Sequence, residues 1–230
     1  MNDRVSKIHP ELQASARRFP RIVYSRKNVW LFRLLTRLMP SPGKIEGIRV
    51  ENIFIPRQDG STTIRLRVYR PGSIDARTPA LIWMHGGGHL IGKPEQDDGV
   101  CAQFVRELGI TVVSVDYRLS PHHPFPAALD DCYSALQWAA SRPGQSGIDP
   151  ARIAVGGASA GGGLAAALAQ LAHDREEIEP TFQLLVYPML DDRTVLRADI
   201  DDSQNITWDH ESNRFGWESY LGRECGAEEV

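Results

Sequence analysis

Residues 152–161 read Arg152-Ile153-Ala154-Val155-Gly156-Gly157-Ala158-Ser159-Ala160-Gly161, a short apolar run that ends in a serine between glycines. An Ala- and Leu-rich pattern with helical spacing continues from there to His173. A strand, a sharp turn at Gly-x-Ser-x-Gly and a helix form a nucleophile elbow, which raises the serine hydroxyl above a sheet. The helix N-terminus also favours developing negative charge. This context favours a nucleophilic Ser159 over a Gly/Ser-rich turn without chemistry.

Strand and helix patterns alternate on both sides of this elbow. Short, nearly continuous apolar runs are typical of parallel strands buried on both faces, and helical patterns lie between them. Upstream, two alternating segments around Asp59-Gly60 predict an antiparallel pair. The pattern therefore predicts an α/β fold with a mostly parallel sheet. The strand segments are 48–55, 63–69, 80–84, 110–115, 152–155 and 182–187, and the helical ones are 100–108, closed by Gly109, then 126–141 and 161–173.

The two ends of the chain have their own character. Residues 1–40 read as helical, with nine Lys/Arg against two acidic residues. The apolar residues at helical spacing favour a helix that covers something apolar over one that binds a membrane surface. An acidic stretch follows Pro188, and after it one amphipathic helix is predicted from aromatic spacing. The N-terminal apolar positions are Trp30, Leu31, Leu34, Leu35, Leu38 and Met39, and the later aromatic ones are Trp208, Phe215, Trp217 and Tyr220.

Composition limits the classes of function. The 230 residues are 42% hydrophobic and 24% charged, as in ordinary globular proteins, and the net charge of −3 argues against a nucleic-acid partner. Three scattered cysteines suit a reducing compartment and predict neither a disulfide framework nor a metal site. No apolar run is long enough for a membrane span, so a membrane partner is not expected. We expect a cytoplasmic protein.

A second motif, His85-Gly86-Gly87-Gly88, directly follows the strand segment 80–84. Acyl transfer passes through an oxyanion, and backbone N–H groups of residues without side chains can approach and stabilise it. Residues 87–93 also fit the glycine and lysine spacing of a phosphate loop, but Pro94 stands where that motif needs Ser or Thr. A dinucleotide fingerprint fails at 156–163, because no register places all three glycines. The motif therefore favours an oxyanion hole.

Five motifs in this order resemble those of the bacterial hormone-sensitive-lipase-like carboxylesterases. They are His85–Gly88, Asp116–Pro121, Pro124–Ala127, Gly157–Gly162 and Tyr187–Asp191. The resemblance covers essentially the whole chain. It implies an α/β-hydrolase sheet of eight strands under a helical cap, and hydrolysis of short-acyl carboxylic esters without a cofactor. It also implies a cap at residues 1–45 and a catalytic domain at 46–230, with about 198–222 joining the cap.

The resemblance implies roles for individual residues. Ser159 is the expected nucleophile, and the N–H groups of Gly87, Gly88 and Ala160 are the expected oxyanion donors. Gly86 and His85 are expected to support the oxyanion loop, whereas His89 is expected to line the substrate pocket. Position 158 is Ala where the family often has Asp or Glu, a change outside the triad.

The acid and histidine of the triad are not identified. In this fold they follow the serine along the chain, and the family carries them after two further strands. His173 lies fourteen residues past Ser159 on one helix, hence about 21 Å away. His210, in the expected cap, is a weak candidate. We therefore expect a fragment or one half of a nicked enzyme, completed by a C-terminal segment, rather than a naturally shortened protein.

Two further possibilities stay open at this stage. A homo-oligomer is possible. The chain could also be a non-catalytic binder of small ligands on the same scaffold, as plant gibberellin receptors resemble these esterases while lacking a complete triad.

Overall fold

The computed structural model describes residues 5, 8–18, 22–40, 44–58, 60–73, 77–141, 146–202 and 205–226. Within these ranges the chain forms one six-stranded sheet with helices packed against it. The strands are β1 (Ile48–Pro56), β2 (Thr63–Pro71), β3 (Thr78–Met84), β4 (Thr111–Val115), β5 (Ile148–Ala158) and β6 (Phe182–Val186). The helices are α1 (Pro10–Ala16), α2 (Val29–Leu38), α3 (Asp98–Leu108), α4 (Ala127–Ser141), α5 (Ala160–Arg175) and α6 (His210–Leu221). Two 3₁₀ turns span Pro94–Asp97 and Asp192–Leu196.

The sheet order is β1-β2-β4-β3-β5-β6. Strands β1 and β2 pair antiparallel, as do β2 and β4, whereas β4, β3, β5 and β6 run parallel. The predicted α/β class, the parallel strands and the antiparallel pair are confirmed, although Asp59 of the predicted turn lies outside the described residues. The carboxyl ends of β3 and β5 therefore meet at one edge of the sheet, where open α/β sheets bind ligands.

The core lies on both faces of the sheet. Alternate residues of β3 point to opposite sides: Ile82 and Met84 pack with α4 and α5, while Leu81 and Trp83 pack with α3. Helix α3 ends at Gly109 in the left-handed conformation (φ 65°), as predicted. A buried ion pair ties α3 to β2, because the Arg67 guanidinium donates to both carboxylate oxygens of Asp98 at 2.8 and 2.9 Å.

The N-terminal segment differs from the expectation of continuous helix over residues 1–40. Two separate helices, α1 and α2, lie within it, and residues 22–28 between them are not helical. Asn28 organises this break, since its Oδ1 accepts from Ser25 N at 2.9 Å and its Nδ2 donates to Val23 O at 2.8 Å. Such side-chain bonds to the backbone compete with helix continuation.

The orientation of α2 also differs from the expectation. Its apolar residues at positions 30, 31, 34, 35 and 38, and Met39 just after it, are exposed rather than packed against the rest of the protein. Arg33 faces inward instead, with Nε donating to Leu90 O at 2.8 Å and a second donor reaching Ser120 O. The Arg33 side chain can face the interior here because backbone carbonyls accept hydrogen bonds from its N–H groups.

The contacts between the N-terminal segment and α6 are relevant to the cap. Tyr24 N donates to Ser212 Oγ at 3.0 Å, and the Tyr24 and Trp208 rings lie 5.6 Å apart. The cap at residues 1–45, joined by about residues 198–222, stays a prediction. None of the helices in the described ranges combines the length and apolar character needed to cross a bilayer.

Candidate active site

Ser159 lies at the junction of β5 and α5 in a strained backbone conformation (φ 56°, ψ −119°). Only a few per cent of non-glycine residues have positive φ, and such residues cluster at functional sites. Two backbone bonds hold the serine in place. Ser159 N donates to Val186 O at 2.9 Å, and Met189 N donates to Ser159 O at 3.0 Å. The serine is thus fixed between β5 and the segment that follows β6.

The glycines on either side of Ser159 are required by close backbone packing. A Cβ at Gly157 would lie 2.3 Å from Gly161 O, and a Cβ at Gly161 would lie 2.1 Å from Met84 O. Both distances are shorter than real Cβ contacts allow. The tight crossing therefore accepts no side chain at either position, which is the physical reason for the Gly-x-Ser-x-Gly spacing.

The glycine bend, residues 86–88, lies beside the serine. A Cβ at Gly86 would be 3.5 Å from Ser159 Cβ, so the two segments are in van der Waals proximity. Gly87 and Gly88 have φ of 133° and 61°, and Gly87 O accepts from Leu90 N and Ile91 N at 3.0 and 3.1 Å. These bonds close a tight turn that keeps the bend next to the serine.

The side chain of His85 lies beside the glycine bend and stabilises it. Its ring is fully buried, stacks on Tyr117 with centroids 4.2 Å apart, and places Nδ1 2.9 Å from Gly86 O. Tyr117 Oη in turn donates to His85 O at 2.6 Å. Burial lowers the pKa of His85, so the ring is neutral at neutral pH. Sequence reasoning missed Tyr117 as a support, although it lies within a quoted motif.

Replacing Tyr117 by Phe is expected to lower the free energy of unfolding by about 1–3 kcal/mol, because His85 O loses a buried hydrogen bond while the ring stack is kept. Urea unfolding followed by circular dichroism measures the change. Tyr187→Phe is the matched control, since Tyr187 is exposed and should give a change near zero. Equal stability of the two variants would contradict the assigned role.

A cavity of about 600 Å³ opens between the elbow, the glycine bend and the region before and within α6. Ser159, Gly87 and Gly88 line it together. Trp208 covers the bend, because a Cβ at Gly88 would lie 1.9 Å from its Cη2. The cavity is thus bounded by the sheet edge on one side and by α6 residues on the other. Its apolar walls include Ile91, Met189, Leu190, Ile200, Trp208 and Trp217.

Ala160 contributes a backbone donor at the same place. It is the first residue of α5, and the N–H groups of a first helical turn have no partner within the helix. The predicted donors Gly87, Gly88 and Ala160 therefore come from two elements that meet at Ser159. Their role as oxyanion donors remains a prediction.

The structure brings no histidine into hydrogen-bond contact with Ser159 among the residues it describes. His210 lines the same cavity, and its backbone N donates to Asp202 Oδ2 at 2.6 Å. Asp191 binds Arg193 on the surface, and Asp192 accepts from Gly226 N at 2.7 Å. These acids are engaged outside any triad.

His89, expected to line the substrate pocket, does not line the cavity that contains Ser159. Its ring is 2% exposed and stacks on Tyr220 with centroids 4.0 Å apart. Neither ring nitrogen has a hydrogen-bond partner among the described residues. The geometry therefore favours a packing role between the loop after the bend and α6.

The buried His89 predicts a pH dependence of stability. Burial, and to a lesser extent His85, lowers the pKa of His89 to about 3. The unfolded chain therefore binds more protons below the ordinary pKa of about 6.5, so folding stability falls as the pH falls through that value. Between about pH 7 and about pH 5 the loss from this one ring is about 2 kcal/mol.

The measurement is urea unfolding of the natural chain and of a His89→Phe variant at both pH values. The variant keeps an aromatic ring against Tyr220 but has no titrating group, so it should lose about 2 kcal/mol less on acidification. Parallel pH profiles would contradict the assignment of a neutral, buried His89.

A mostly parallel sheet with a serine at the strand–helix turn and a glycine bend beside it defines the α/β-hydrolase class. A family model described as alpha/beta hydrolase fold matches residues 81–229. Carboxylesterase NlhH of Mycobacterium tuberculosis is 41% identical over 154 residues, covering 67% of this chain and 48% of that protein. Carboxylic ester hydrolase LipN of the same species is 41% identical over 175 residues, covering 74% and 44%.

Solved structures of esterases are also similar to this chain. A bacterial heroin esterase superposes with a TM-score of 0.83 at 34% identity, covering 93% of this chain and 68% of its own. Esterase LipW of Mycobacterium marinum superposes with a TM-score of 0.81 at 31% identity, covering 97% and 71%. The chain belongs to the hormone-sensitive-lipase-like carboxylesterases of the α/β-hydrolase family. It spans about half the length of the curated relatives it matches.

Proposed function

We propose that the whole protein hydrolyses short-acyl carboxylic esters through an acyl-enzyme on Ser159. One observation carries the proposal: Ser159, in its strained elbow, lines the same cavity as Gly87 and Gly88 of the glycine bend. A nucleophile and backbone donors within one concave site are the parts that acyl transfer needs. The names of the relatives, which are carboxylesterases and esterases, support the same class of reaction.

The proposed reaction has two halves. Ser159 Oγ attacks the ester carbonyl while a base takes its proton, and the carbonyl oxygen becomes an oxyanion held by the N–H groups of Gly87, Gly88 and Ala160. The C–O bond to the alcohol then breaks, and the alcohol leaves with the proton from the base. Water repeats the sequence on the acyl-enzyme and releases the carboxylic acid. No cofactor takes part.

The base is proposed to be a histidine oriented by a carboxylate, both supplied by a complementing segment of the whole protein. The described histidines favour this source, because His85 and His89 are buried away from the cavity that Ser159 lines. His210 shares that cavity, so it needs a direct test. If the base comes from elsewhere, His210→Gln should leave the rate of serine modification unchanged.

The substrate side of the proposal follows from the cavity. Its apolar walls and its volume of about 600 Å³ suit a small ester with a short acyl chain. The bulky Trp208 and Trp217 limit the length of the substrate on the α6 side.

A cytoplasmic location is part of this proposal and rests on the composition alone.

The test is reaction of the whole protein, with its complementing segment present, with a fluorophosphonate, read by intact mass and peptide mapping. Phosphonylation forms the Ser159 Oγ–P bond and expels fluoride, so one adduct on the peptide containing residue 159 supports the proposal. Lack of labelling together with retained affinity for small apolar esters would support the non-catalytic binder instead. Labelling of a different residue would overturn the assignment of Ser159.

A further inference from the structure

A second cavity, of about 620 Å³, shares no lining residue with the cavity that contains Ser159. Six of its twelve lining residues are Arg or Lys, two are His and one is acidic. The cations come from four separate parts of the chain: Arg33 and Arg37 from α2, Arg57 and Arg65 from the hairpin of β1, β2 and their connection, Lys93 after the glycine bend, and Arg118 after β4. The fold thus gathers them into one concave site, which we call the cationic cavity.

The carboxylates around the cationic cavity neutralise only half of these cations. Asp131 pairs with Arg57 and Arg118, at 3.1 and 3.0 Å. Arg65 pairs with Glu95 and with Asp116, the latter at 2.9 Å. These three carboxylates therefore account for three guanidinium groups.

The other three cations, Arg33, Arg37 and Lys93, have no carboxylate partner among the described residues. Arg33 binds backbone carbonyls, with Nη1 2.6 Å from His122 Nδ1. Lys93 Nζ donates to Met39 O at 2.8 Å and to Arg37 O at 3.3 Å, which are both neutral acceptors. Uncompensated positive charge in a concave site attracts anions.

The pKa of His123 agrees with a positive field at this cavity. Burial lowers it first, and the neighbouring Arg118, His122 and Arg57 lower it further, while Asp131 opposes them. The nearby cations therefore make a negative charge favourable beside His123. The pKa of Arg33 is lowered by burial alone.

We propose that the cationic cavity binds a phosphate group, either inorganic phosphate or the phosphate of a monoester. Guanidinium forks match phosphate oxygens in pairs, and a Lys ammonium adds a point charge. The volume exceeds what inorganic phosphate needs, which leaves room for the rest of a monoester. The site is separate from the Ser159 cavity, so it does not rest on the proposed esterase function.

A bound phosphate would have a structural consequence. Arg37 belongs to α2 and Lys93 to the loop that follows the glycine bend, and the two line the same cavity. A dianion that contacts both would join α2 to the body beside the oxyanion loop. The proposal thus links ligand binding to the placement of α2.

The experiment titrates inorganic phosphate into the chain by calorimetry, with chloride adjusted to keep the ionic strength constant. Arg37→Gln is the test variant, because the Arg37 side chain is exposed and lines the cavity. Arg49→Gln is the matched control, since it removes the same charge from a surface pair on β1. Arg37→Gln should weaken binding about tenfold, as expected for one charged hydrogen-bond donor, and Arg49→Gln should leave it unchanged.

A second arm distinguishes a free ligand from a lipid headgroup. Phosphatidylcholine vesicles with and without phosphatidic acid are tested for sedimentation with the same three proteins. Saturable binding of either phosphate source that Arg37→Gln weakens selectively supports the site and identifies the source. No saturable binding in either arm, or equal weakening in Arg37→Gln and Arg49→Gln, would overturn the proposal.

Discussion

Replacing Ser159 by Ala is expected to abolish fluorophosphonate labelling and to remove up to about 10⁶ in ester turnover from the completed enzyme. The substitution deletes only the Oγ that forms the covalent bond. The backbone bonds from Ser159 N to Val186 O and from Met189 N to Ser159 O do not involve that atom, so the elbow should stay in place. The loss should therefore be chemical rather than structural.

Ser141→Ala is the control for this prediction. Ser141 lies at the end of α4, and its exposed Oγ donates to Gln137 O at 2.6 Å. The control should label like the natural chain, and both variants should unfold at the same urea concentration within error. Adduct formation that persists in Ser159→Ala would mean that another nucleophile reacts, and the acyl-enzyme on Ser159 would have to be abandoned.

The elbow was predictable from sequence because its requirements are local. A Cβ at Gly157 would collide with Gly161, and a Cβ at Gly161 would collide with Met84 on the adjacent strand. Glycine is therefore required at both positions, and the sequence shows it directly. The buried parallel strands were predictable for a similar reason. Each of these strands is covered on both faces, so nearly all of its residues are apolar and form a run that is visible in the sequence.

The placement of α2 was not predictable in the same way. Its apolar periodicity predicts a helix, but the side that faces the body is decided by carbonyls of Leu90 and Ser120, far away in the chain, which accept from Arg33. His89 illustrates the same limit. Its position after the glycine bend suggested the pocket, whereas stacking on Tyr220 from α6 turns the ring into the interior. Contacts between segments that are far apart in the chain have little effect on the local hydrophobic pattern of the sequence.

The glycine bend supplies the second large effect. Gly87→Ala is expected to reduce the rate of Ser159 labelling by about 10²–10³, the typical cost of losing one oxyanion donor. Gly87 has a φ of 133°, which side chains rarely adopt, and an added Cβ would lie 2.0 Å from Ile91 O. That oxygen belongs to the backbone and cannot swing aside, so the turn closed by Leu90 N and Ile91 N on Gly87 O must open.

Gly99→Ala is the matched control, because a Cβ there meets nothing within 4 Å and Gly99 lies within helix α3. It should label at the natural rate and be equally stable or slightly more so, since Ala favours helix over Gly. The far-ultraviolet spectrum of Gly87→Ala separates loss of the bend from loss of the fold. If Gly87→Ala folds and labels as fast as Gly99→Ala, the amide hydrogens of the bend do not stabilise the reacting phosphoryl or carbonyl oxygen. Catalysis would then have to rest on donors other than the bend.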